Sequence, residues 1–496
     1  MDNDAAVEPA RLKRETLLCA LLLGVLGDLL LRAGPIGPGL VVWIGMAGTG
    51  TTWLAWRTGA TRWRPVVAWS TVALLAAALM VVRHNGFIQF LLCLLLPLAV
   101  SQIIMLGWGA RLGRSLPLDH LYAMVSVPFR ALFGAVPLLA GATRGRAPAL
   151  RRLAGVGRGL ALAIPLIWVF TGLLSSADAG FNRVADRAFD VFTITELSSH
   201  LIVALLIAWA VSGWLAVVVD HGQDNRFRRI PLPSIGRDET LIVLGSLALL
   251  FGGFVVLQLG YLFGGQEAIQ RISGLTMAEY ARRGFFELVT IAGLTLGLLL
   301  FAGAVSTSQR LYRGLALVLV GLVLVMLVSA TQRFVLYIDE FGLSLDRLTV
   351  LAILLWLAFT LLLFSATVLR GRLYWFASGS TLAGVVMVLV FALMNPAGWV
   401  ASVNLERTID QQQSLDTDYL LALGADAVPV VLERLDALPE AERCQLSAEL
   451  LWRWPPIVED NSDWRVWNWA EVRARHAVRE EQRRLRVMAR GCLVGR

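Results

Sequence analysis

Residues 274–300 read GLTMAEYARRGFFELVTIAGLTLGLLL. A charged, tyrosine-bearing segment runs without a break into an apolar run fit for a bilayer. Thr276 and Glu279 have the spacing of a capping box, in which the carboxylate reaches back to the cap amide. A helix from Met277 to about Val305 would be ~43 Å long at 1.5 Å per residue, and the hydrocarbon core takes only ~30 Å of that. The helix is therefore expected to begin in water and then enter the membrane. Glu279, Arg283 and Glu287 share one face of it and can form a ladder of ion pairs. Below them, Gly293 and Gly297 are expected to admit a close helix neighbour.

The rest of the 496-residue chain extends the same pattern. It is 57% hydrophobic and 16% charged, with a mean hydropathy of +0.67. Soluble domains carry about 25% charge. Backbone polar groups in lipid must be satisfied within the segment, so the long apolar runs read as helices. Spans are predicted near 16–32, 36–56, 64–83, 86–107, 158–175, 195–219, 240–262, 286–305, 314–334, 347–369 and 374–394. The run at 16–32 follows a basic start like that of a signal peptide, but without a clear small-residue cleavage site it reads as a retained span.

The net charge of +8 is almost all arginine, with Lys13 the only lysine. Arginine gathers in alternate loops: "RTGATRWR" (57–64), 108–157, 220–239, "STSQRLYR" (306–313) and "RGR" (370–372). The intervening segments, "GPIGPG" (34–39) and "RHNG" (83–86) among them, are neutral or mixed. The positive-inside rule then places the N-terminus in the cytoplasm and the C-terminus outside. Basic charge is absorbed by these loops, so nucleic acid is not an expected partner. Residues 118–142 are apolar enough for a twelfth span but contain Arg130, Pro128 and Pro137. Charge balance favours an interfacial or re-entrant hairpin there.

The expected fold is all-α. A polytopic bundle of about eleven spans carries a small C-terminal extracytoplasmic helical domain. Its parts are a cytoplasmic N-terminus (1–15), a four-span region (16–107), a basic cytoplasmic segment (108–157), a seven-span core (158–395) and the external domain (396–496). In that last part, 396–463 hold 13 acidic residues against 4 arginines, and 464–496 hold 9 arginines against 3 acidic residues. The basic half is expected to be one long helix folded onto the acidic half. Asp426 reads as a helix N-cap and Pro439 as a helix start. Cys444 and Cys492 lie one in each half and could pair or stay free. Five clustered tryptophans (Trp452, Trp454, Trp464, Trp467, Trp469) read as domain core, with sugar stacking or an interfacial belt as the alternatives.

Sequence motifs for chemistry are sparse. The histidines (His84, His120, His200, His221, His476) form no zinc pattern, and no GxSxG or phosphate-binding loop occurs. Glu196 and His200 are four residues apart, a pair that needs a further ligand to hold a metal. Asp28 is the plainest charge inside a span and lies one turn from Arg32. No cofactor is expected.

Several stretches together resemble a bacterial multi-pass membrane family catalogued as domain of unknown function 4173, within the broader 4153 group. They are "YLFGGQEAIQRISGLTMAEYARRGFFEL" (261–288), "LLSSADAGFNRV" (173–184), "YIDEFGLSLDRL" (337–348), "NPAGWVASVNLER" (395–407), "DTDYLLALGADAVPVVLERL" (416–435) and "WNWAEVRAR" (467–475). The resemblance implies an integral protein of the bacterial inner membrane and brings no activity or catalytic residue with it. Stretches of these motifs, at 176–184, 276–287, 337–347 and 395–407, fall at the outer side of the predicted topology. Asp178, Tyr280, Arg283, Glu287, Tyr337, Glu340, Arg347, Asn395, Asn404 and Arg407 could then line one outer-leaflet cavity. The same residues also read as helix caps and loop ties, with Ser344 capping one helix and Asn395-Pro396 ending another. The expected function is a non-enzymatic sensor, scaffold or accessory subunit that binds a ligand or partner at the outer leaflet. A transporter or flippase and a membrane-embedded enzyme are the alternatives. Membrane lipid and a further membrane or envelope protein are the expected partners.

Overall fold

The computed structural model describes residues 9–58, 63–107, 117–136, 196–219, 234–273, 285–411, 415–455 and 463–494, with isolated positions between 138 and 181. Helix dominates them. Beyond helix there is one isolated parallel bridge, between Ile235 and Ser306, and no strand among the described residues. Eight helices are long and apolar enough to cross a membrane. The chain divides into two compact units: Met1–Val82, Gln89–Asn225 and Glu459–Asn468 form the first, and Arg83–Ile88, Arg226–Val458 and Trp469–Arg496 the second.

The first unit contains α1 (Pro9–Leu31), α2 (Pro38–Arg57), α3 (Trp63–Val82), most of α4 (Gly86–Gly107), α5 (Pro117–Phe133) and α6 (Glu196–Val219). α3, α4 and α6 are among the eight; α1 and α2, more polar, are not. The predicted span at 158–175 lies mostly outside the described residues. α1 packs along α6 and α2 along α3. Small residues permit these approaches. A Cβ on Gly24 would stand 2.2 Å from the Ala204 carbonyl oxygen, and one on Gly213 only 1.9 Å from that of Arg130. Indole N–H groups close the seams: Trp43 donates to the Leu23 carbonyl at 2.9 Å and Trp209 to the Leu132 carbonyl at 2.8 Å. α5 is a 17-residue helix with Pro128 inside, about 25 Å long. It lies against α6 and exposes Leu121, Tyr122, Val125, Phe129 and Phe133.

The second unit holds five long helices: α7 (Arg237–Ser273), α8 (Phe285–Val305), α9 (Gln309–Phe341), α10 (Leu345–Thr367) and α11 (Leu373–Leu393). They enclose a shared apolar core that includes Leu244, Leu299, Leu319, Leu361 and Phe364. Tyr312 is buried within it and donates to the Leu299 carbonyl at 2.7 Å. Shorter helices follow: α12 (Pro396–Gln411), α13 (Thr417–Ala422), α14 (Val428–Arg434), α15 (Glu440–Arg453), α16 (Trp469–Glu480) and α17 (Gln482–Val494). Pro439 caps α15 and Ser344 caps α10, its hydroxyl accepting from the Arg347 amide at 3.2 Å. Asn395 separates α11 from α12 as expected, at φ 51°, a conformation that asparagine tolerates better than most side chains.

Several expectations change. α8 begins at Phe285 among the described residues; the proposed cap at Thr276 and Glu279 and the partner Arg283 lie outside them. Among the described residues nothing stands within 4 Å of a Cβ built on Gly293 or Gly297, so no close helix contact is made there among them. α9 continues to Phe341, past the predicted span end at 334, because its packed face stays apolar beyond Phe334 through Tyr337 and Ile338. The basic tail is not one helix. It runs as a short 3-10 turn at Trp464–Val466, then α16, then α17, and at the first break Asn468 spends its side-chain amide on the Met80 carbonyl at 3.2 Å. α17 packs against α15, and Arg484 pairs with Asp436 at 2.6 Å. Of the tryptophans, Trp454 is core, whereas Trp452, Trp464 and Trp469 are exposed.

Glycine substitution separates close approach from mere small size. Gly24→Leu and Gly213→Leu should each lower the melting temperature of the detergent-solubilised chain markedly, in the range of about 1–3 kcal/mol for overpacking. Gly293→Ala and Gly297→Ala should leave it unchanged or slightly raised, since alanine is the better helix former by ~1 kcal/mol. Thermal unfolding curves of the four variants check the contrast.

Candidate functional site

The C-terminal end of α9 organises a polar cleft. A helix leaves its last four carbonyls without intrahelical donors, and two arginines supply them here. Arg347, in the first turn of α10, donates to the Phe341 carbonyl at 2.8 Å and to that of Gly342. Arg407, on α12, donates to the Ile338 carbonyl at 2.9 Å and to that of Asp339 at 2.5 Å. Positive charge at a helix C-terminus also meets the negative end of its dipole. Gly342, at φ 81°, makes the turn between α9 and α10. Asn404 clamps that turn with two hydrogen bonds to Leu343, from its amide to the carbonyl at 2.8 Å and from the Leu343 N–H to its oxygen at 2.9 Å. The Arg347 guanidinium lies 4.6 Å from the Tyr337 ring centroid, a cation–π arrangement.

Beside this lies an open cleft of about 620 Å³, lined by Ser344, Arg347, Asn404, Arg407, Asp416 and Tyr419 among others. The Tyr419 hydroxyl accepts from the Leu345 N–H at 2.9 Å. Burial raises its pKa against the lowering pull of that N–H, so it remains a neutral hydroxyl with a proton to donate. Asp416 caps α13 through the Tyr419 amide at 2.9 Å.

Four of the ten sequence candidates therefore meet: Tyr337, Arg347, Asn404 and Arg407. Asp178 belongs to the first unit and accepts from the Phe181 amide at 2.6 Å, a local turn. Glu287 is exposed in the first turn of α8. Tyr280, Arg283 and the Glu340 side chain lie outside the described residues.

Asn395 joins a different cluster, which the sequence reading missed. Asp426, 98% buried at its side chain, receives the Arg83 guanidinium at 3.3 Å. It also accepts from the His84 amide at 2.7 Å and the Asn85 amide at 3.2 Å. It is not the cap of α14, whose N-cap is Ala427 without a side-chain bond; its carboxylate is turned instead to Arg83, His84 and Asn85. Arg83 further donates to the last carbonyls of α11, Ala392 and Leu393, both at 2.7 Å. Asn395 donates to the Asp426 carbonyl at 3.2 Å, and Asn85 to that of Leu423 at 3.2 Å. "RHNG" read as a bland loop because its partners are more than 300 residues away.

In the first unit Asp28 is buried and contacts His200 and, at 3.6 Å, Arg32. The expected Asp28–Arg32 neighbourhood is present, and His200 pairs with Asp28; the Glu196 side chain lies outside the described residues. No group of three or more metal-binding side chains occurs among the described residues.

The family described as a domain of unknown function, DUF4153, matches residues 70–434. The chain belongs to that family. The match includes α10, all of α12 with Asn404 and Arg407, and both Arg83 and Asp426. No curated protein and no solved structure matches the chain.

A double-mutant cycle tests the buried pair in this DUF4153 protein. Asp426→Asn and Arg83→Gln should each cost about 3–5 kcal/mol, because each leaves one charge buried alone. The double variant should cost less than the sum by roughly 0.5–3 kcal/mol. Denaturant titration of the four proteins in detergent measures it, and additive costs would show that the pair is not coupled.

Proposed function

We propose that this is a non-catalytic membrane protein of the bacterial inner membrane whose cleft at the end of α9 binds a ligand or partner at the outer leaflet. The observation behind this reading is the cleft's lining. Two guanidinia, the Tyr419 and Ser344 hydroxyls and the Asn404 amide face one opening, a donor-rich set suited to an acidic or hydroxyl-bearing group. The arginines are already held by backbone carbonyls, so their positions are set before a ligand arrives, which lowers the ordering cost of binding. A sensor, scaffold or accessory subunit fits this arrangement. The narrower family group 4173 belongs to the same reading, on the motifs at 337–348 and 395–407.

The topology of the reading is N-terminus inside and residues 396–496 outside. Cys444 is disulfide-bonded and Cys19 and Cys93 are free; the side chain of Cys492, the remaining cysteine, lies outside the described residues. A disulfide favours an oxidising compartment for the tail. Membrane lipid as partner is supported by an apolar groove of about 550 Å³ between α2 and α3, bordered by Trp53, Trp56 and Trp63. Arg57 and Arg64 stack on the first and last of these rings.

Reporter fusions at 230, 308 and 372 should read cytoplasmic, and fusions at 270, 342 and 430 external, with Cys444 alkylated only after reduction. A cytoplasmic signal at 430 defeats the topology. For the cleft, lipid and small molecules co-purifying in mild detergent should be compared between the parent and Tyr419→Phe. That variant keeps the ring and removes the hydroxyl, at a stability cost of about 1–3 kcal/mol because the Leu345 N–H loses its acceptor. A bound species lost from the variant supports the cleft; an identical bound set with an intact fold defeats it.

A further inference from the structure

The apolar groove between α2 and α3 has a charged, aromatic mouth. Its lining repeats at each helical turn: Ile44, Gly48, Thr52 and Trp56 on α2, and Trp63, Val67 and Thr71 on α3, so each helix gives one face to it. Glycine and threonine leave the space of about 550 Å³. Two of the lining hydroxyls are already satisfied: Thr49 donates to the Gly45 carbonyl at 2.7 Å and Thr71 to that of Val67 at 2.9 Å. From Trp63 to Leu74, the far end of the lining on α3, the groove is about 17 Å long at 1.5 Å per residue. One leaflet of a ~30 Å hydrocarbon core is about 15 Å deep. α3 is long and apolar enough to cross the membrane, so the groove matches the depth of a single leaflet.

Its two ends differ. Trp53, Trp56 and Trp63 gather at one end and are exposed, as aromatic side chains are at a membrane interface. Arg57 and Arg64 lie over the Trp53 and Trp63 rings, 5.7 and 5.6 Å from their centroids. Arg57 is committed: it donates to Glu15 at 3.0 Å, and Arg11 donates to the same carboxylate at 3.3 Å. One carboxylate between two guanidinia leaves one positive charge over. Arg64 is exposed and has no carboxylate partner among the described residues. This end is therefore positive and aromatic, and the remainder of the groove is apolar.

We infer that the groove holds one acyl chain of an anionic glycerophospholipid, with the headgroup phosphate at Arg64. The inference rests on membrane lipid being a partner, and it names which lipid and where. An acyl chain gains little by exchanging neighbouring tails for an apolar groove, because lipid tails are as apolar as leucine. The groove gives the tail its shape, and the head decides which lipid stays. A guanidinium with free N–H donors pairs strongly with phosphate, and indole N–H groups donate to oxygen acceptors beside it. A net negative headgroup meets the uncompensated positive charge, which a zwitterion does not. In the topology proposed above the loop at 57–64 is cytoplasmic. The lipid then belongs to the inner leaflet, and its site is separate from the outer-leaflet cleft at the end of α9.

The test uses the full chain, stripped of lipid in mild detergent, and counts bound lipid by native mass spectrometry. Phosphatidylglycerol and phosphatidylcholine with the same acyl chains are the two probes. Phosphatidylglycerol should fill one saturable site at least about tenfold more tightly than phosphatidylcholine, the weight of one hydrogen bond to a charged group. Arg64→Gln should erase that preference and leave the weaker binding that both lipids share. Gly45→Leu should block the groove, since a Cβ there meets only Leu74 Cδ1, at an ordinary 3.7 Å, and the longer side chain extends into the space. It should remove binding of both lipids while the melting temperature without lipid stays that of the parent. Thr52→Phe, on the same face of α2, is the second blocking variant if Gly45→Leu disturbs the fold. Tyr419→Phe in the cleft should leave the preference unchanged. Equal binding of the two lipids, or a preference that survives Arg64→Gln, overturns the inference while keeping lipid as a partner. No saturable binding of either lipid removes the partner as well. A preference that the blocked variants retain, or that follows Tyr419, places the lipid outside this groove and overturns the inference.

Discussion

A helix that crosses hydrocarbon satisfies every backbone group except those at its ends. That constraint locates nearly every polar cluster described above. The final carbonyls of α9 are met by Arg347 and Arg407, and those of α11 by Arg83. The first amides of α10 are met by Ser344 and Tyr419. Lipid cannot supply these bonds. Each end therefore recruits side chains, some from the adjoining turn, as with Ser344 and Arg347, and some from distant segments, as with Tyr419, Arg407 and Arg83.

The same economy explains why the cleft is polar. Arg347 and Arg407 are fixed by backbone oxygens, and Asn404 holds the turn they cap. Structural ties and a binding surface are not competing descriptions of these residues. A guanidinium has five N–H donors, and anchoring some of them to carbonyls orients the group toward the opening. The Arg83–Asp426 pair differs in being closed. Asp426 is buried with three donors around it, an arrangement that specifies one packing of segments rather than presenting a surface.

How far the sequence was legible depended on distance along the chain. Ser344, Pro439 and the Asn395-Pro396 break were readable because a cap and its helix are neighbours. The apolar runs were readable because hydrocarbon thickness sets their length. Asp426 was misread as a cap because its true partner, Arg83, is 343 residues away. Glycine marks only a possible approach: among the described residues another backbone reaches Gly24 and Gly213 but not Gly293 or Gly297. The expected tail helix was broken at Asn468, whose bond to Met80 no local pattern could reveal.

By itself, the sequence determined that the protein is built of membrane-length helices, where most of them begin and end, and that its motifs gather near helix termini. These follow from local physics: burial of apolar length, backbone satisfaction and caps within a turn. Tertiary structure alone decided that Tyr337, Arg347, Asn404 and Arg407 converge and that Asn395 joins Arg83 and Asp426 instead. Those outcomes depend on which helix faces meet and in what register, and register is set by packing between segments that the sequence holds far apart.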